Sequence, residues 1–171
     1  MGKVSGRIGR AVLGCALVVV VAGVTGCTDE KGNKPAAPAT EPVVTEEMPK
    51  YIEAANKANG ESESTVIASA ARPTVTEQNR KAMAMVIRDE GNDTWKAANY
   101  RLVVYCVGSG TVYAHFTLGA VAKITEVPPC APTVTTGAVD IKLPSDAANS
   151  AVIIIPAGTA QAAVAYQIQR L

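Results

Sequence analysis

Histidine is nearly absent: the 171-residue chain has one, His115. A multi-histidine metal centre is thereby excluded, and a Ser-His-Asp triad has a single candidate base. Aromatic residues are few, with five Tyr, one Trp and one Phe. Neither sign of charge dominates, with 16 Lys and Arg against 15 Asp and Glu. The clustered positive surface that nucleic-acid binding requires is missing. There is no Gly-x-Ser-x-Gly, no Cys-x-x-Cys and no internal repeat. The longest apolar run, 11–26, falls short of the roughly 20 residues of a membrane-spanning helix. No residue pattern calls for a cofactor or a metal.

What is present begins with a secretory leader over residues 1–26. Lys3, Arg7 and Arg10 precede the apolar stretch centred on Val18-Val19-Val20-Val21. The stretch ends in Val24-Thr25-Gly26-Cys27, which has the form of a bacterial lipobox. The small Gly26 leaves the bond before Cys27 open to cleavage, and the Cys27 thiol is the site where a diacylglycerol would attach. With two acyl chains each buried CH₂ adds about 0.8 kcal/mol, enough for stable anchoring at the extracytoplasmic face of the cell membrane. The leader takes three cations with it and leaves 13 positive against 15 negative side chains. Residues 27–45, with Pro35, Pro38 and Pro42 and no aromatic, read as the lipidated Cys followed by a disordered tether. If flexible, it spans about 25 Å.

Of the four cysteines, Cys15 lies in the leader and Cys27 is the lipid site. Cys106 and Cys130 remain, and in an oxidising compartment two leftover thiols are expected to pair.

Residues 46–91 read as a helical segment. Tyr51–Asn59 is rich in Ala, Glu and Lys, with Gly60 as its stop. Thr74-Val75-Thr76-Glu77 has the form of a capping box, which starts a helix with Ala82, Met83, Val86 and Ile87 on one face and Gly91 as its end. Met83, Met85 and Ile87 also alternate, so a strand over 82–87 is the rival reading, and 64–70 is ambiguous between strand and helical turn. Residues 92–171 read as an antiparallel β domain. Tyr100, Leu102, Val104 and Cys106 alternate with polar or outward residues, and Gly108-Ser109-Gly110 suits a hairpin turn. Val112, Ala114, Phe116 and Leu118 then alternate again. Further runs cover 120–126, 138–143, 151–155 and 164–169. Six short strands without intervening helices predict an antiparallel β-sandwich or jelly-roll-like domain, preceded by one or two helices.

Candidate chemistry is sparse. His115 sits on the outward face of its strand and lacks a motif that supplies a nucleophile. Trp95, Tyr105, Tyr113 and His115 form a possible ligand face, with Trp95 and the tyrosines as a sugar platform; core packing of Trp95 is the competing expectation. Asp89, Glu90 and Asp93 resemble part of a calcium loop, but the spacing is wrong for an EF-hand, so an acidic loop at a helix end is expected.

The stretch from Tyr100 through Val112, Tyr-Arg-x-x-x-x-Cys-x-Gly-x-Gly-Thr-Val, resembles small uncharacterised secreted lipoproteins of high-GC Gram-positive bacteria. Pro129-Cys130 and the terminal Ala165–Arg170 strand fit the same outline, as does the lipobox; 46–94 is outside it. The resemblance implies lipidation at Cys27 and a Cys106–Cys130 disulfide, and nothing catalytic. The expected function is a membrane-anchored, non-catalytic binding or accessory module that meets an envelope protein or wall glycan. The alternatives are an envelope hydrolase or transferase using His115, and a small solute-binding lipoprotein.

Overall fold

A computed structural model describes residues 46–60, 62–78 and 81–171. The leader, Cys27 and the tether lie outside the described residues. The order is helix α1 (Met48–Ala58), then strands β1 (Thr65–Pro73), β2 (Val75–Gln78), β3 (Lys81–Ala84), β4 (Ile87–Trp95), β5 (Ala98–Leu118), β6 (Val121–Cys130), β7 (Thr135–Leu143), β8 (Ala147–Pro156) and β9 (Gln161–Arg170). Among the described residues the protein is mainly β, with one short helix and a curled antiparallel sheet of seven strands. Strands β2 and β3 form a separate ribbon.

The expected helix exists and starts three residues early, at Met48, where Pro49 suits the first turn. Lys57 lies in its last turn, where the helix dipole favours a cation, and the Asn59 N–H closes it on Ala55 O at 3.0 Å. The second expected helix is absent. Thr74 does not cap anything: its Oγ1 lies 2.9 Å from Ala160 O and 3.1 Å from Ala162 O, and accepts the Ala162 N–H at 3.0 Å. That hydroxyl is fully buried and staples the chain between β1 and β2 to the start of β9. Residues 75–78, 81–84 and 87–95 are instead three strands, with Met83 and Val86 exposed where a helical core face was expected. Thr74→Val keeps the shape and strands the Ala162 N–H, so it is expected to cost about 2 kcal/mol, read as a lower denaturant midpoint at unchanged slope.

Residues 99–118 are one strand, not a hairpin. The first half of β5 pairs with β7 and β9, and the second half with β6 and β8. Both halves therefore find their partners elsewhere in the chain, and nothing requires a reversal at Gly108–Gly110. The two glycines have φ of +133° and +92° and bend the strand instead. The bend curls the sheet into two arms. Leu102, Val104 and Cys106 of one arm share a core with Val112, Ala114 and Phe116 of the other, all fully buried. The inward alternation expected from the sequence holds on both sides of the bend.

The Cys106–Cys130 disulfide is formed, and ties the middle of β5 to the end of β6. Helix α1 lies on the outer face of the first arm, where Ala163, Ala165 and Val107 allow close approach. For this reason β9 is buried along both faces, although the sequence marks only Val164, Tyr166 and Ile168 as inward.

Candidate functional site

Strands β1 and β4 lie at the edge on the β8–β9 side, each with one partner, β9 and β8 respectively, while β6 and β7 form the other edges with β5 as their only partner. Strands β1 and β4 border a common seam. Alternation along β4 turns Ile87, Asp89 and Gly91 inward and Arg88, Glu90 and Asn92 outward, with register shifting between Gly91 and Thr94. The acids expected in a loop at a helix end are thus strand residues, and Asp89 faces β1. Arg72 of β1 forms a bidentate pair with Asp89, one bond being Nη1 to Oδ1 at 3.0 Å. Tyr166 O–H donates to Asp89 Oδ2 at 2.6 Å, and Arg72 Nη2 also donates to Ser69 Oγ at 3.1 Å.

Burial pushes the Asp89 carboxyl up, but its bonds from Arg72, Tyr166 and Ser69 and the Arg72 charge outweigh that and hold it below the usual carboxylate range. Burial first, then the Asp89 bond and charge, push the Tyr166 phenol well above its ordinary value. A carboxyl depressed by folding stabilises the native state above its unfolded value, near pH 4, and that contribution disappears as pH falls through the folded value. Acid unfolding of the wild type is therefore expected to steepen below about pH 4. Asp89→Asn should be less stable at neutral pH and lack that component, as read from thermal midpoints across pH.

Beyond this clasp the seam is open. A pocket of about 190 Å³ has Asp89, Gly91, Ser150 and Tyr166 in its wall, and apolar Val152 and Ile168 as its floor. It adjoins one of about 420 Å³ formed by Val66, Thr94, Trp95, Lys96, Tyr100 and Arg170. Ile67 and Asp93 border both. Lys96 is engaged with Asp146 at 2.8 Å and Glu90 with Arg88 at 2.5 Å. Among the described residues Asp93 and Arg170 make no ion pair. Ser150 and Asp93 crowd the side-chain-free position of Gly91: a methyl there would meet Ser150 Oγ at 3.0 Å and Asp93 Oδ2 at 3.3 Å.

The residues expected to share a ligand face are dispersed. Trp95 is 3 % exposed and packs edge-to-face on Tyr100 at 5.1 Å, so it offers no flat platform to a sugar. Its core packing is the expectation that holds. Tyr105 is half-buried beside α1, its hydroxyl accepting from Gln167 Nε2 at 2.5 Å. Tyr113 and His115 lie on the outer face of the other arm. His115 has Ile124 and Ile153 as its cross-strand neighbours. No group of three or more metal-ligating side chains occurs among the described residues.

The seam itself was missed in the sequence, because Ile67 and Asp93 meet only through the topology. A period-two reading of 64–70 and 87–93 would have found both edges, with Asp89 as an acid on an inward face. No family model matches the chain, and no curated protein or solved structure is similar to it.

Proposed function

We propose that the chain is a lipoprotein of the extracytoplasmic membrane face, anchored through Cys27, whose curled sheet acts as a non-catalytic binding or accessory module of the cell envelope. The two arms are read as the layers of a sandwich-like domain, joined by β5. The observation that carries the binding reading is the open seam between β1 and β4, which combines apolar side chains with Asp93 and Arg170, neither in an ion pair among the described residues. The disulfide supports an oxidising compartment, and the Lys3-to-Cys27 pattern and the resemblance to small secreted lipoproteins of high-GC Gram-positive bacteria support the anchor. The position of His115 between two isoleucines gives a hydrolase no oriented base.

A photo-crosslinking residue placed at Val66, an exposed seam position, tests this in intact cells against the same group at Lys142 on β7. An envelope component captured from Val66 and not from Lys142, and lost in Cys27→Ala cells, is the expected result. Equal capture from both positions, or a turnover activity abolished by His115→Ala, would overturn the reading.

A further inference from the structure

The geometry points to an extended peptide as the occupant of the seam, one that presents a basic side chain to Asp93 and a carboxylate to Arg170. The inference rests on the binding reading above and narrows it to a ligand class. Three observations carry it.

First, the seam is bounded by strand edges. Helix α1 satisfies part of β1, with Ala71 N–H bonded to Asn56 Oδ1 at 2.7 Å and Asn59 Nδ2 bonded to Ser69 O at 2.9 Å. No side chain among the described residues bonds the backbone of Val66, Ile67 or Ala68. An edge left open beside a groove is a template for an added strand. Arg72 meets Asp89, and Ile67 shares both pockets with Asp93, so β1 and β4 run antiparallel past one another along the seam.

Second, the pocket carries both signs of charge, although the Arg170 charge also helps to hold the nearby Asp146 carboxyl below its ordinary value. Asp93 and Arg170 both border the larger pocket, and neither is neutralised by an ion pair among the described residues. A peptide supplies both signs from one backbone, with apolar side chains between them for Ile67 and Ile168. From Gly91 to Trp95 the edge covers at most about 13 Å at ~3.3 Å per residue, room for about four extended residues.

Third, the aromatic residues argue against a glycan. Sugars stack on exposed ring faces, and here Trp95 and Tyr100 are each 3 % exposed and locked edge-to-face.

The single tryptophan, Trp95, is an internal reporter for the pocket. The full-length lipidated chain in detergent would be titrated with N-acetylated, C-amidated octapeptides that carry one Lys and one Glu, one to three residues apart, on a Val/Ile background. The controls are the same peptides with Gln at both charged positions, and chitotetraose. The indole N–H resonance reads occupancy. Charged peptides should bind about tenfold more tightly than neutral ones, and Asp93→Asn and Arg170→Gln should each remove about that factor with the thermal midpoint unchanged. The double charge exchange Asp93→Lys with Arg170→Glu should prefer the peptide of reversed charge order. Chitotetraose moving the indole while peptides do not would overturn the peptide assignment and leave the binding reading intact. An indole resonance unmoved by any probe would remove the seam as a site, and the assignment with it.

Discussion

Gly108→Ala should unfold the domain or leave it barely folded at 37 °C, a loss of about 3–5 kcal/mol. The φ of +133° lies outside the left-handed helical well as well as the right-handed one, so an L side chain is strained there before any contact is counted. Contact makes it worse. A methyl on Gly108 would run into the Gln161 carbonyl oxygen and approach Ala162 Cα at 2.7 Å, and both are backbone positions of the neighbouring β9. Backbone cannot rotate away as a side-chain tip can. Gly110 meets Ala160 Cα at 2.7 Å, so it should be similarly intolerant. Gly158 also has positive φ, +55°, but nothing lies within 4 Å of its missing Cβ. Gly158→Ala should therefore cost no more than about 1–2 kcal/mol. Denaturant midpoints for Gly108→Ala and Gly158→Ala check this. Equal losses at the two sites would show that neither the more strained φ nor the backbone contact at Gly108 adds to the cost.

Breaking the Cys106–Cys130 bond is the second large effect. The bond closes a loop of 25 residues counting both ends, from a separation of 24, and the chain-entropy relation gives about 3.5 kcal/mol for that length. The Cys106→Ser, Cys130→Ser double variant should lose about that much, against a typical total of about 5–15 kcal/mol for a domain. Both cysteines belong to the shared core, with Cys106 fully buried, so the double Ala variant separates lost cross-link from buried hydroxyl. Reductant added to the wild type should reproduce the Ala value. If the Ala variant melts with the wild type, the cross-link contributes nothing, and the bond serves only to protect the thiols.

The β half of the domain was legible because alternation reports a face directly. Leu102, Val104, Val112 and Phe116 are inward for the same reason at both ends of β5, whatever the strands pair with. Pairing itself was not legible at Gly108-Ser109-Gly110, since positive φ serves a bend as well as a reversal and the decision lies with partners far along the chain. Thr74 and Glu77 failed differently. In a capping box the hydroxyl oxygen accepts the amide N–H three residues on; here the buried Ala162 N–H takes that place, and the Ala160 and Ala162 carbonyls take the hydroxyl proton. Of the site, Trp95 was visible as a residue, but its neighbours across the seam come from β1, β5 and β9.

The place of β9 in the sheet also sets a timetable. It follows every other described strand in the chain, yet it lies between β1 and β5, with Thr65 opposite Gln169, 104 positions later. As the ribosome delivers the chain, β1 emerges long before the strand that it needs. Pairing of such wide separation is slow. On the ribosome the edge of β1 therefore waits without its partner while about a hundred residues follow it, whatever the strands between have already paired with.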